Sequence, residues 1–343
     1  MSSIDPEINS GSARRFSPSD WIMKIFLHWG VMPFLLVIAV IIFSLMSSRF
    51  LTADNLINLF RQSVYLVLVS LGQMLALISG GFDLSVGTIV AVASVVSALS
   101  MGALTLSFPD AMWLVITLGC LAGLGAAMLI GLVNGAGVAM FGVSPFIMTL
   151  GMQSIGFGIA LFLTAGVPVS NLPDALGDVF GFGVVLGIPV PILMMVLILA
   201  LMYVLLNYSA WGRHLYAVGS NPKAALLSGI RVKPVLVSAY VLCAFIAGVS
   251  GLLLTARTAS GDANLGGSMA LESIAACVIG GVSLRGGIGR LENVVLGAIF
   301  IGLVQNGMNL AQIGSYLQIV VLGVLLIIAV VFDRIRQKRL YRL

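Results

Sequence analysis

The sequence predicts an all-α polytopic membrane protein with about ten transmembrane helices and with both termini in the cytoplasm. Of its 343 residues, 60% are hydrophobic and only 8% are charged, a composition typical of membrane proteins and not of soluble globular domains. The apolar residues form runs long enough to cross a bilayer. The basic residues are concentrated in alternate connections between those runs, which indicates the orientation of the chain.

The first element is a polar tail, residues 1–25, and an apolar run from 26 to 46 follows it. This run is longer than a signal-peptide core and has no small-residue cleavage site, so we expect it to be retained as a span. The run at 270–284 is short, and we expect part of it to be broken or re-entrant. The transmembrane domain, 26–332, precedes a basic tail, 333–343. The spans after the first are predicted at 62–80, 85–106, 112–133, 145–165, 189–207, 234–256, 270–284, 291–310 and 315–332.

The basic residues predict which loops are cytoplasmic. With the N-terminus inside, only Arg49, Arg61 and Arg257 of the 17 Lys and Arg residues fall on the outer side. Because cytoplasmic loops are enriched in these residues, this distribution places both tails in the cytoplasm. Loops 166–188 and 257–269 are expected on the outer side. The formal net charge of +5 therefore reflects membrane orientation and not nucleic-acid binding.

A polar segment, residues 208–233, interrupts the apolar runs on the predicted cytoplasmic side. Asn221 is a favoured N-cap, Pro222 suits the first helical position and Gly229 suits a C-terminal stop. These residues predict a helix of about two turns, from Lys223 to Ser228, which is too short to be stable alone in water. Such a helix needs a surface to dock against. The alternative interpretation is an ordinary cytoplasmic loop.

Two glycine-rich breaks, residues 80–87 and 280–287, share the pattern Gly-Gly-x-polar-Leu-polar-x-Gly and lie on the predicted cytoplasmic side. Glycines there permit non-helical backbone at the membrane margin. Asp83 is expected to cap the third span with its carboxylate. Polar residues inside spans face either the bundle interior or a water-filled path, and some of them only join helices. The candidates for a gate or pathway are Gln73, Gly80, Gly81, Asp83, Ser85, Gly87, Asn134 and Asn306.

No catalytic or metal-binding motif is present in the sequence. There is no GxxxxGK[ST] phosphate loop, no HExxH, no GxSxG and no carboxylate pair. Cys120, Cys243 and Cys277 are far apart and lack the spacing of metal ligands. We therefore expect no enzymatic activity, no metal and no cofactor. Active transport by this chain would need an energy source on another polypeptide or an ion gradient.

The segment Gly80-Gly-Phe-Asp-Leu-Ser-Val-Gly87 resembles the Gly-Gly-Ile-Asp-Leu-Ser-Val-Gly signature of ribose-type ABC importer permeases. This branch of the branched-chain amino acid/ribose permease superfamily serves monosaccharides and autoinducer-2. Residues 50–59, 217–230 and 271–289 resemble the family's early external segment, its ATPase-contacting segment and its C-terminal block. The chain departs from the usual residues at Phe82, Ser273 and Val282-Ser283, which leaves the cargo open.

The resemblance implies the permease subunit of an ATP-driven importer, which forms the pathway for a monosaccharide across a bacterial inner membrane. The implied partners are a periplasmic sugar-binding protein, a second permease copy or paralogue, membrane lipid and a cytoplasmic ATPase that binds the ATP. Nucleosides, branched-chain amino acids and autoinducer-2 are alternative cargoes, and an ion-coupled secondary transporter is the alternative from a different class. The residues implied in ATPase coupling are Gly219, Asn221, Pro222, Ala224, Ala225, Ser228, Gly229 and Ile230.

Overall fold

The computed structural model describes residues 32–340, so the predicted tail 1–25, residues 26–31 of the first predicted span and residues 341–343 of the basic tail lie outside the described residues. Nearly every element is helical. The helices are α1 (Met32–Met46), α2 (Ala53–Ile78), α3 (Val86–Ser107), α4 (Met112–Phe141), α5 (Pro145–Thr164), α6 (Asp174–Leu176), α7 (Val190–Tyr208), α8 (Ala210–Ser220), α9 (Pro222–Leu227), α10 (Val232–Thr258), α11 (Met269–Ile279), α12 (Leu291–Leu310) and α13 (Ser315–Leu340).

The helical, polytopic fold class is confirmed for the described part of the chain. Seven of its helices are long and apolar enough to cross a membrane, namely α2, α3, α4, α5, α7, α10 and α12. Shorter apolar helices, α1, α11 and the first half of α13, coincide with the three remaining predicted spans. The number of crossings and the side on which each terminus lies stay predictions.

Helix α2 lies at the centre of the bundle. Of its most apolar stretch 89% is buried inside the protein, whereas the corresponding share is 22% for α5 and for α7. It packs against α7, α10, α11 and α12. A helix that is apolar on every side is typical of such a central position, and the outward apolar side chains of α5 and α7 are typical of helices that face lipid or another protein.

Glycines allow α10 to approach its neighbours closely. A Cβ atom added at Gly131 of α4 would lie 2.6 Å from the Tyr240 carbonyl oxygen of α10. A Cβ atom at Gly72 of α2 would lie 2.7 Å from the Cys243 carbonyl oxygen. Small residues permit this close approach of backbones inside a membrane, where there is no hydrophobic drive to association. Helix α10 is therefore held between α2 and α4.

The long connection between α5 and α7 is folded. It contains α6, a π-helical turn (Gly177–Gly181) and a two-stranded antiparallel hairpin of β1 (Val184–Val185) and β2 (Ile188–Pro189). Its Val169 exchanges two backbone hydrogen bonds with Gly261, at 2.8 and 2.9 Å. The two predicted outer loops are thus joined to each other, which the sequence did not indicate.

Within the outer loop predicted over 257–269, residues 259–268 are non-helical as expected, and we call them the return segment. These residues run back along α3. A Cβ atom at Gly261 would lie 3.0 Å from the Ser94 carbonyl oxygen, and one at Gly266 would lie 2.6 Å from the Gly87 carbonyl oxygen. Helix α11 follows with 11 residues, about 16 Å, and is too short to cross a bilayer alone. This length agrees with the expected broken span at 270–284.

Candidate functional site

The short helix expected in the polar segment is present as α9. The Asn221 side chain accepts the Ala224 N–H at 3.0 Å, and Pro222 occupies the first turn. At the other end Gly229 has a φ of 83°. The N–H groups of Gly229 and Ile230 donate to the carbonyls of Leu226 and Ala225, both at 3.0 Å, which is the Schellman pattern of a helix end. The helix begins and ends one residue earlier than predicted.

Helix α9 presents an apolar tip away from the bundle. Ala225 packs inward and is buried, whereas the Leu226 and Leu227 side chains are 63% and 90% exposed. Among the other coupling candidates, Asn221, Pro222, Ala224, Ser228 and Gly229 are exposed, Ile230 is half-buried and Gly219 is buried. Two exposed leucines beside a polar segment indicate a protein contact surface. Sequence reasoning missed both leucines, because their exposure depends on how α9 is mounted.

Four glycines form what we call the glycine junction: Gly80, Gly219, Gly286 and Gly287. A Cβ atom at Gly219, at the end of α8, would overlap the Ile78 carbonyl oxygen and lie 2.8 Å from the Gly287 nitrogen. A Cβ atom at Gly286 would lie 2.6 Å from the Gly219 carbonyl oxygen and 2.8 Å from the Gly80 Cα atom. The Gly287 N–H donates to the Ile78 carbonyl at 2.9 Å. The two glycine-rich breaks therefore touch each other and the base of α9.

Helix α8, which the sequence did not predict, connects to the second break by a further bond. The Tyr216 hydroxyl donates to the Gly289 carbonyl at 2.8 Å. Burial is the main cause that raises the pKa of the Tyr216 phenol, so it stays protonated and able to donate. At the start of α8, the Trp211 indole N–H donates to the Ser238 hydroxyl of α10 at 2.7 Å. The α8–α9 unit is thus tied to α10 and to residues 280–290.

Asp83 is fully buried and is held by polar groups. One carboxylate oxygen accepts the Ser85 N–H at 2.8 Å and the Ser85 hydroxyl at 2.5 Å. The Asn134 amide of α4 lies 3.3 and 3.4 Å from the two carboxylate oxygens and donates to the Ser85 hydroxyl at 2.8 Å. The carboxylate bonds Ser85, the residue before α3, rather than the first turn of the helix. It therefore fixes the turn that leads into α3.

Gln73 and Tyr240 complete this group, which we call the carboxylate cluster (Gln73, Gly81, Asp83, Ser85, Asn134 and Tyr240). In the amide orientation that matches donors to acceptors, Gln73 donates to the Asp83 carbonyl at 3.0 Å and accepts the Asp83 N–H at 3.2 Å. A Cβ atom at Gly81 would overlap the Tyr240 hydroxyl. Within residues 32–340, that hydroxyl and the Asn134 carbonyl oxygen are buried without a hydrogen-bond partner. Sequence reasoning missed Tyr240, because its place beside Asp83 depends on how α10 packs.

A cleft of about 360 Å³ lies between α3, α5 and the return segment. Gly87, another predicted site residue, lines it together with Thr88, Gln153, Ser154, Phe157 and Ala263. The Thr88 hydroxyl donates to the Gln153 carbonyl at 3.0 Å, which ties α3 to α5. Hydroxyl and amide groups in an otherwise apolar bundle give the cleft a mixed lining. It can accept a small molecule that carries both hydroxyl groups and carbon–hydrogen faces.

Asn306 lies apart from these groups. It exchanges two amide hydrogen bonds with Asn55, both at 3.0 Å, and so joins α12 to the first turn of α2. That turn is at the opposite end of α2 from Gly80. The structure thus brings five of the predicted site residues together, namely Gln73, Gly81, Asp83, Ser85 and Asn134. It places Gly80 in the glycine junction and Gly87 in the cleft. Asn306 is separate from all of them.

Comparison with curated proteins gives relatives of nearly full length. The chain is 40% identical over 304 residues to the ribose import permease protein RbsC of Bacillus subtilis (strain 168), covering 88% of this chain and 92% of the relative. It is 35% identical over 329 residues to RbsC of Escherichia coli (strain K12), covering 95% and 98%. It is 36% identical over 306 residues to the D-allose transport system permease protein AlsC of the same strain, covering 89% and 91%.

No solved structure gives a significant match to the chain. A family model, described as branched-chain amino acid transport system / permease component, matches residues 55–330. This range contains the carboxylate cluster, the glycine junction, α9 and the cleft. The chain belongs to this family of permease components.

Proposed function

We propose that this chain is the membrane-spanning subunit of an ATP-driven importer that carries a monosaccharide across a bacterial inner membrane. The observation that carries the proposal is the similarity, along almost the whole of both chains, to permeases named for ribose and D-allose. A match over the full length within one family covers the whole translocation domain and not only a shared motif. The geometry of the cleft and of α9 supports the same function.

The cleft beside the return segment is the proposed sugar route. Non-helical backbone inside a membrane protein is tolerated where it is buried or lines a cavity, and broken segments form substrate sites in transporters. A monosaccharide offers hydroxyl groups on all sides, so its route needs groups that both donate and accept hydrogen bonds. Thr88, Gln153 and Ser154 supply such groups, and Phe157 supplies an apolar face for the sugar ring.

Helix α9 is the proposed contact for the ATPase. Its caps make a rigid unit of six residues, and the exposed Leu226 and Leu227 side chains can fill a groove on a partner protein. A displacement of α9 would be transmitted directly to both glycine-rich breaks, because no side chains separate the contacting backbones in the glycine junction. ATP is bound by the partner, and this chain takes no cofactor.

Two further partners follow from the proposal. The outer connection 166–189, which is joined to the start of the return segment at Gly261, forms a folded surface that can receive a periplasmic sugar-binding protein. The outward apolar faces of α5 and α7 offer a contact area for a second permease copy and for lipid. The cleft lies on α5, and a second copy on that helix would enclose the sugar route.

Uptake by intact cells tests the proposal. A strain deleted for this gene and the same strain complemented with it are given a labelled panel of ribose, D-allose, L-arabinose, a nucleoside and leucine. We expect at least one monosaccharide to be taken up only by the complemented strain. Restoration of nucleoside or leucine uptake alone would contradict the assignment of a sugar cargo.

A further inference from the structure

Two of the three basic residues that fall on the predicted outer side meet inside the bundle. Arg61 and Tyr65 are four residues apart on α2, so their side chains lie on one face of this helix. The Ser250 hydroxyl of α10 donates to the Tyr65 carbonyl at 3.0 Å, and Arg257 lies seven residues, or two turns, further along α10. Side chains lean toward the N-terminus of their helix, and in these antiparallel helices Tyr65 and Arg257 lean toward each other.

The charges of both guanidinium groups act on the Tyr65 phenol, and Arg257 acts more strongly and also comes near hydrogen-bonding range of the phenol oxygen, although without the geometry of a full hydrogen bond. Three polar atoms of this group are buried without a hydrogen-bond partner among the described residues: Arg61 Nε, Tyr65 Oη and Arg257 Nη1. Tyr65 itself is only 4% exposed. The Phe182 ring covers the Arg257 guanidinium group, whose carbon lies 5.8 Å from the centre of the ring.

A negative charge nearby would stabilise the two guanidinium groups beside the Tyr65 hydroxyl. Both arginines are half-buried, with one guanidinium nitrogen of each enclosed, so solvent screens their mutual repulsion only in part. Among the residues whose side chains the structure describes, no carboxylate forms an ion pair with Arg61 or Arg257. An anion from outside the described chain can therefore pair with the unpaired donors of this group.

We propose that Arg61, Tyr65 and Arg257 form an anion site for a phosphate group. A guanidinium group matches the oxygens of a phosphate with two parallel hydrogen bonds, and the phenol can donate a third. The several oxygens of a phosphate monoester or diester can also bond both guanidinium groups at once with paired hydrogen bonds, which a single chloride cannot do. The site is separate from the cleft, the glycine junction and the carboxylate cluster, and it stands independently of the proposed cargo.

The phosphate can come from a lipid headgroup or from free phosphate. The exposed side chains of Ile57 and Phe60 stand next to Arg61 on α2, so an apolar chain attached to the phosphate would find a surface there. On the predicted orientation, Arg61 lies about 12 Å inside the outer end of α2, near the level of lipid headgroups. A free phosphate would use the guanidinium groups and the phenol without that surface.

Thermal unfolding of the purified full chain in a phosphate-free maltoside detergent tests the site. Sodium phosphate is titrated against sodium chloride at equal ionic strength, and phosphatidylglycerol against diacylglycerol with the same acyl chains. We expect a saturable rise of the melting temperature of about 5 °C at a hundred times the dissociation constant. A rise with the phospholipid alone assigns a lipid headgroup, and a rise with both assigns a site open to free phosphate. No rise with either probe would overturn the proposal.

Variants separate this site from general effects of charge. Arg61→Gln and Arg257→Gln should abolish the rise, whereas Arg49→Gln, at the exposed third outer arginine, should keep it in full. If a glutamine variant does not fold, Arg257→Lys and Tyr65→Phe serve instead, since each keeps the bulk and should weaken the response several-fold. An unchanged response in variants of Arg61, Tyr65 and Arg257 would show that phosphate binds elsewhere.

Discussion

Asp83 is a buried carboxylate whose partners are neutral: a backbone N–H, a hydroxyl and an amide. A leucine at this position would leave the Ser85 N–H and the Ser85 hydroxyl proton without an acceptor, at a cost of about 1–3 kcal/mol for each buried group. An asparagine keeps the acceptor for Ser85, and its new amide donor can serve the Asn134 carbonyl oxygen, which has no partner among the described residues. From these contacts we propose that the residue is a structural anchor and not a proton carrier.

We expect Asp83→Asn to retain most of the transport and Asp83→Leu to lose it or to fail in folding. Uptake of the labelled sugar and abundance in the membrane are measured for both variants. If Asp83 instead carried a proton, both variants would be equally inactive at equal abundance, and that result would contradict the anchoring role.

At the scale of elements, α9 was predictable because its ends are encoded locally. An Asn N-cap, a proline in the first turn and a glycine with φ of 83° act within a few residues of the chain. The exposed tip of Leu226 and Leu227 could not be predicted, because it depends on how α8 and the glycine junction hold the helix. The helix and the exposure of its apolar tip thus have different origins.

The α9 contact predicts two kinds of variant effect. Asn221→Ala should cost about 1 kcal/mol of cap stability, and Gly229→Val should strain a backbone turn that a β-branched residue rarely adopts. The double variant Leu226→Ala/Leu227→Ala should leave the caps intact and remove the apolar tip. We expect all three to weaken co-purification of the ATPase while membrane abundance stays normal.

Asn207→Ala is the matched control, since Asn207 is an exposed asparagine near the end of α7 that bonds only within its own helix. It should leave ATPase association unchanged. Normal co-purification and uptake in every α9 variant would mean that this segment is an ordinary loop.

The cleft predicts a different effect from α9. Gln153→Leu removes one hydrogen-bonding group from its lining at similar volume, and we expect uptake to fall about five-fold, the equivalent of one hydrogen bond of about 1 kcal/mol. ATPase association should stay normal. Gln305→Leu is the control, because Gln305 is also a half-buried glutamine inside a span but does not line the cleft. Equal losses in both variants would argue against a route through the cleft.

The return segment marks the limit of prediction from sequence. Residues 259–268 have the composition of a loop, and the local pattern supports that interpretation. Their path is decided instead by distant contacts, the fit of Gly261 and Gly266 against the backbone of α3. Likewise, the two glycine-rich breaks were recognised separately, but their meeting at Gly219 depends on the tertiary fold. Helix periods and caps depend on residues close together in the chain and can be predicted from sequence. Contacts between glycines depend on residues far apart in the chain and cannot.

At the scale of the whole molecule, the contacts are continuous from one end to the other. The glycine junction connects α9 to the break that contains Asp83 and to the break that follows α11, and the return segment leads from α11 to the cleft. We propose that these contacts couple α9 to the cleft, and the sequence has no phosphate loop of its own.

We therefore expect the purified chain alone, in liposomes, neither to hydrolyse ATP nor to accumulate sugar. Addition of the partner ATPase, the binding protein and ATP should start accumulation. The same liposomes under a proton or sodium gradient provide the decisive comparison. Accumulation driven by a gradient without any ATPase would assign the chain to the secondary transporters.

The shortness of α11 has a consequence for biogenesis. A nascent segment leaves the translocon sideways into lipid when about 20 apolar residues make it stable there, and α11 has 11. The non-helical residues before it would expose backbone N–H and C=O groups without hydrogen-bond partners to lipid. This part of the chain therefore settles only after α2, α3 and α12 have been synthesised and assembled around it. The return segment, which lines the cleft, is then among the last parts of the chain to reach its final position.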